Sequence, residues 1–139
     1  MSRIGSKDTR PEMIIRRGLH ARGFRFRLHR KDLPGHPDLI LPKFQSAVFI
    51  HGCFWHAHEN CRNFRLPRTS VEFWTEKLSA NKLRDKRNIE VLRGRGWRVL
   101  IIWECETRRI PVVPLIDQVV EWLQGNEVLD EIPSSGAAS

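Results

Sequence analysis

The sequence predicts a mixed α/β fold, a central sheet flanked by helices, and three observations lead there. Thr9/Glu12 and Thr69/Glu72 each have the Ser/Thr-x-x-Glu spacing of a helix start, which places helices beginning near residues 10 and 70. Short apolar runs bounded by proline and glycine fall between and after them, as buried strands do. A chain of 139 residues can build one real core and has no room for a second folded unit, so helices and strands must share that core.

Taken in order, the first helix runs from about Arg10 to Arg22. Pro11 suits its first turn, Met13, Ile14, Ile15 and Leu19 supply its apolar residues, and Gly23 stops it. Phe24, Phe26 and Leu28 then alternate with Arg25 and Arg27, the period of a strand exposing one basic face. Pro34, Gly35 and Pro37 force a turn, after which Asp38 enters a second strand with Leu39, Ile40 and Leu41. A further turn at Pro42 and Lys43 leads to Ala47–Ile50, a short buried strand. From Ser70 until Gly94 and Gly96 no proline interrupts a long helix, with Trp74, Leu78, Ile89 and Leu92 near one face and Lys77, Lys82, Arg84, Lys86 and Arg87 on the other. The run Trp97 to Trp103, with Val99, Leu100, Ile101 and Ile102, is that of a central strand, and it ends in Glu104, Cys105 and Glu106. Pro111 and Pro114 precede a last helix, about Leu115 to Leu123. One domain over residues 1–124 and a flexible tail over 125–139, ending in Ser, Gly and Ala, complete the expectation.

Composition narrows the function. Twenty-four Lys and Arg against 16 Asp and Glu leave +8 and a pI near 10.3, which favours a polyanionic partner, nucleic acid first. No apolar run approaches the roughly 20 residues of a spanning helix and no signal-peptide stretch follows the start, so no membrane partner is expected, and a cytoplasmic location is. Three cysteines, Cys53, Cys61 and Cys105, form no disulfide framework; reduced thiols or metal thiolates suit them better.

Chemistry concentrates in FIHGCFWHAHENC, Phe49 to Cys61. Cys53, His58 and Cys61 lie at offsets of five and three, and with Cys105 they make a Cys3His set for a closed structural zinc site; by spacing alone His51 or His56 could replace His58. Asp38 opens a strand beside two spare histidines, His51 and His56. A carboxylate there can hold Mg2+ while an imidazole takes a proton from water attacking a phosphate. Asp after Pro-X-Pro is also a common turn residue, and Glu12 also completes a capping box.

Several motifs in one order, KDTRPE, FRFRLHRKDLPGHPDLILP, FIHGCFWHAHENC, EFWTEKLSANKLRDKRN and GWRVLIIWEC, resemble over most of the chain the very-short-patch repair endonucleases, the Vsr-like mismatch nickases. The resemblance implies a restriction-endonuclease-like core with a structural zinc site. It implies an Mg2+-dependent endonuclease that nicks one strand on the 5′ side of the thymine in a T:G mismatch, the product of 5-methylcytosine deamination. Asp38 resembles the family's magnesium aspartate, with the Ile50 backbone carbonyl as second protein ligand where relatives often have threonine. His56 resembles the histidine that activates water, and Glu12 the first-helix acid near the metal's water shell. His51 stands where restriction-type nucleases carry a lysine, and would help with the phosphate or leaving group. Cys53, His58, Cys61 and Cys105 match the zinc ligands. Phe54, Trp55 and Trp74 resemble an aromatic wedge for the base stack, and Lys77 and Asn81 groups near the mismatched pair. Implied partners are double-stranded DNA carrying the mismatch and mismatch-repair proteins, for a monomer that is nucleoid-associated in a bacterial cytoplasm when acting. A restriction-type nuclease without mismatch preference and a non-catalytic zinc-stabilised DNA-binding module remain the alternatives.

Overall fold

The structure is a computed structural model and describes residues 9–28, 30–53, 55–56, 58, 61 and 65–133. Helix α1 (Arg10–Ala21) begins as its sequence dictates, with Thr9 Oγ1 accepting the Glu12 N–H at 3.3 Å. Gly23, at φ 85°, supplies the left-handed residue that ends it. Strands β1 (Arg27–Leu28), β2 (Leu39–Leu41) and β3 (Ser46–His51) follow, then the long helix α2 (Val71–Gly94) and strand β4 (Arg98–Trp103). Short helix α3 (Glu104–Arg109), helix α4 (Val112–Gln124) and strand β5 (Leu129–Ile132) complete the order.

These strands form one sheet in the order β1-β2-β3-β4-β5. The first three pair antiparallel, whereas β3/β4 and β4/β5 are parallel. A parallel pair needs a crossover, and α2 supplies the first while α3 and α4 supply the second. Side-chain alternation then sorts the apolar residues into two cores, because successive Cβ atoms point to opposite faces. Val48, Leu100 and Ile102 meet Ile15 and Leu19 of α1 and Leu115, Val119 and Trp122 of α4. Ala47, Phe49, Val99, Ile101 and Trp103 face the other way, against Leu92 of α2. A Cβ on Gly18 would lie 2.3 Å from the Ile116 side chain, so glycine there lets α1 close on α4. Extending the odd-numbered series by one step puts His51 on the α2 face, at the end of β3 and opposite Trp103 in register.

Three expectations are corrected. Only Arg27 and Leu28 pair with β2, so the strand is shorter than expected, although the alternation holds: Phe24 and Phe26 are half-buried on the α1/α4 core while Arg25 and Arg27 are exposed. The Thr69/Glu72 capping box does not form at the start of α2: Ser70 is the N-cap, left-handed at φ 54°, and no side-chain bond caps the helix. Burial of Leu78 and Leu92 holds this helix in place of a cap. Finally, the tail expected from residue 125 carries β5, whose pairing with β4 satisfies the backbone on that side of the central strand; the Val99 N–H, for example, donates to the Val128 carbonyl at 2.9 Å. Residues 134–139 lie outside the described residues.

Candidate active site and metal centres

The C-terminal end of β3 opens into a cleft of about 550 Å³, lined also by α1, the turn before β2, the loop after β3, and α2. Asp38 sits at the start of β2 and accepts the Ile50 N–H at 2.7 Å through Oδ2. This contact reveals which way Ile50 faces. The Val48 carbonyl points at the same edge, accepting the Asp38 N–H at 3.0 Å, and alternate residues of a strand direct both N–H and C=O to one side. The Ile50 carbonyl therefore lies on the Asp38 edge, and both residues line the cleft. A carboxylate and a carbonyl are the hard oxygen donors that Mg2+ takes, so the residues fit that ion. Glu12, only 2% exposed, reaches the same cleft from the first turn of α1, and Arg16 pairs with it at 2.6 Å.

His51 and His56 stack face to face, with ring centroids 3.7 Å apart and planes 4° from parallel. Burial drives the His51 pKa well below its ordinary value, and the neighbouring His56 and His58 push the same way, so this imidazole is neutral at pH 7. Its Nδ1 is buried with no hydrogen-bond partner among the described residues. His56 donates from Nδ1 to Asp85 Oδ2 at 2.5 Å, which fixes the tautomer and leaves Nε2 as the proton acceptor. Sequence reasoning missed Asp85. Its signal was present, since it is the one acid in the basic run from Lys82 to Asn88.

Cys53, His58, Cys61 and Cys105 form the second cluster, with all four ligand atoms within 4.8 Å of one another. Cys105 Sγ and His58 Nδ1 are 3.6 Å apart, close to the roughly 3.5–3.8 Å edge of a tetrahedron built on zinc–sulfur and zinc–nitrogen bonds. Burial pushes the Cys53 thiol up to about 11 and the Cys105 thiol higher still, with the neighbouring thiol groups adding to Cys105. A divalent cation reverses that logic by favouring the thiolates, so the donor set fits zinc. The cluster adjoins the cleft through shared neighbours: His58 stacks on Trp103 at 4.0 Å, and Trp103 meets His51 edge-on at 5.1 Å. Trp103 is itself held by a 2.8 Å hydrogen bond from Nε1 to Glu131, a residue of the segment expected to be a tail.

Trp55 is 46% exposed on the cleft rim, with Trp74 behind it at 5.9 Å and Phe73 on Trp74 at 5.2 Å. Lys77 and Asn81 line the cleft from α2, whereas Trp74 does not. Phe54 lies outside the described residues. Among those residues no helix is long and apolar enough to cross a membrane.

Two imidazoles, one oriented by a carboxylate, beside an oxygen-donor pair for a hard cation are groups with the chemistry to cleave a phosphodiester. The family model for the DNA mismatch endonuclease Vsr matches residues 1–63. The chain is 38% identical over 139 residues to the DNA mismatch endonuclease Vsr of Escherichia coli strain K12, covering 98% of this chain and 88% of that relative. It is 49% identical over 106 residues to the type II nicking enzyme V.XorIIP of Xanthomonas oryzae pv. oryzae, or 76% and 77% of the two chains. With V.NmeAIP, a type II nicking enzyme of Neisseria meningitidis serogroup A, identity is 42% over 108 residues, or 78% and 76%. The chain belongs to the Vsr family of DNA endonucleases, and its sheet with flanking helices is the restriction-endonuclease-like fold of that family.

Proposed function

We propose that this endonuclease is an Mg2+-dependent, strand-specific nickase that hydrolyses the phosphodiester 5′ to the thymine of a T:G mismatch, the lesion left by deamination of 5-methylcytosine. The observation that carries this reading is the His56–Asp85 pair, in one cleft with Asp38 and the Ile50 carbonyl edge. The relatives' names, a mismatch endonuclease and nicking enzymes, support the mismatch and the single-strand cut.

Asp38 and the Ile50 carbonyl would hold the Mg2+, which neutralises charge at the scissile phosphate when bound. Glu12, which lines the same cleft, would lie near waters that such an ion carries. His56 takes the proton of the attacking water at Nε2, and Asp85 steadies the resulting imidazolium through Nδ1. His51 stays neutral, which matters because two cations in parallel rings 3.7 Å apart would repel; it offers the phosphate or leaving group a hydrogen bond without competing for charge. Cys53, His58, Cys61 and Cys105 would hold a structural zinc. Trp55, backed by Trp74 and joined by Phe54, enters the base stack, where a mismatch lowers the cost of opening. Lys77 and Asn81 face the mismatched pair. On this reading the protein acts as a monomer, with mismatch-repair proteins as candidate partners.

Single-turnover nicking of matched and T:G duplexes tests the reading. Wild-type protein should nick one strand of the T:G duplex, and Asp38→Ala and His56→Ala should each lose on the order of 10²-fold or more in rate. Equal cutting by the double variant would sink the assigned roles, and equal rates on matched DNA would identify a nuclease without mismatch preference.

A further inference from the structure

The loop after β3 is held to α2 at two neighbouring points. Asn81 donates its side-chain amide to the Trp55 carbonyl at 3.0 Å, and Asp85, one helical turn on, takes the His56 imidazole. Adjacent rungs of one helix therefore set the exposed indole and the proton acceptor. The other end of the Asn81 amide is used as well, because its Oδ1 accepts from Arg84 Nη2 at 2.9 Å. With nitrogen on the loop and oxygen on the arginine, the amide cannot flip without losing both bonds.

Arg16, Arg22, Arg30, Arg108 and Arg109 each close on a carboxylate; Arg84 takes a neutral amide instead, is exposed, and stands on the cleft wall. A guanidinium has five N–H donors in a planar fork suited to phosphate. One donor serves Asn81, and among the described residues Arg84 makes no ion pair.

We propose that Arg84 is a ligand for a DNA backbone phosphate and that, through Asn81, it fixes the Trp55 loop, so that gripping the backbone sets the residue that enters the stack. The inference rests on the cleft being where DNA is cut, and it adds a positioning residue to that reading. Charge and fork are separable: lysine keeps the charge but cannot hold a phosphate and the Asn81 amide in one plane.

The experiment measures binding of the full chain to T:G and matched duplexes across a salt series, with Ca2+ replacing Mg2+ to hold back cleavage and 2-aminopurine beside the mismatch to report unstacking. Arg84→Met should lower the salt slope by about 1 on both duplexes. Arg84→Lys should keep that slope, lose on the order of tenfold in T:G preference, and show a weaker 2-aminopurine signal at saturating protein. An unchanged slope in Arg84→Met overturns the phosphate contact, and wild-type preference and signal in Arg84→Lys overturn the link to the loop. Thermal melts of both variants should match wild type, and if the methionine variant melts early, Arg84→Gln takes its place in the salt series. Should wild-type protein itself fail to prefer T:G, the nickase reading fails while the salt slope still decides whether Arg84 binds phosphate.

Discussion

The two ends of β4 are built for opposite purposes. At its start, all five N–H donors of Arg98 are engaged: Nε with the Glu127 carbonyl, Nη1 with Ser46 Oγ and the Leu123 carbonyl, Nη2 with the carbonyls of Trp122 and Gly125. The guanidinium also lies 4.2 Å over the Trp122 ring, so one side chain caps the C-terminus of α4 and ties the turn into β5. At the other end, Trp103 leads into stacked imidazoles, a buried nitrogen without a partner and a crowd of thiols. A guanidinium with every donor engaged stabilises and has nothing left to bind, while thiols and stacked imidazoles are groups able to hold cations and move protons. Both ends share one strand pair, and ligands in sheets with parallel strands gather at the carboxyl ends of those strands.

Four substitutions would break or sharpen this contrast. The largest effect is expected from Cys105→Ser, which removes one of four ligands at the reactive end: bound metal, measured by elemental analysis, should fall from about one zinc per chain towards none, with a lower melting temperature and loss of nicking although no group of the proposed chemistry has changed. Asp85→Asn should leave the melt near wild type but slow nicking on the order of 10²-fold, because His56 loses both the acid that sets its tautomer and the charge that steadies its protonated form. Arg98→Met at the start of the strand should do the reverse. Stability measured by urea unfolding should drop by about 2–4 kcal/mol, as several carbonyls lose a charged donor, while the rate per folded molecule stays unchanged. A slower rate at full folding would show that the two ends are coupled.

The smallest effect belongs to the exposed Arg30–Asp32 pair. The Arg30 hydrogen bond lowers the Asp32 pKa to about 2, so whatever this pair contributes is present above the ordinary carboxylate pKa and lost as pH falls towards 2. Arg30→Gln should return Asp32 to the ordinary range in an NMR titration, with no measurable change in unfolding at neutral pH.

Much of this site was legible in the chain. The spacing of Cys53, His58 and Cys61 and the Pro-Asp strand entry are local, the distant Cys105 is marked by its place at the end of the apolar strand run, and the cluster after β3 brings its histidines and aromatics within a few residues of each other. Legibility failed where a contact depends on a partner far along the chain. Asp85 looks like one more charge on a solvated helix until α2 is laid across the end of β3, 29 residues from His56 in sequence. Glu131 looked like part of a tail until β5 paired with β4 and brought it to Trp103. The capping box at Thr69 erred in the other direction, since a favourable local pattern gave way to the packing of Leu78 and Leu92.

By itself, then, the sequence determined the alternation of helices and strands, the charge that draws a polyanion, and the residue types able to hold hard and soft cations, because periodicity, composition and donor chemistry are properties of neighbours along the chain. Only the tertiary structure decided that the Ile50 carbonyl shares an edge with Asp38, that His56 is oriented by Asp85, and that Arg84 reaches the Trp55 loop through Asn81. Those facts depend on strand register and on where a helix crosses a sheet, which the packing of two separate cores settles and no local pattern records.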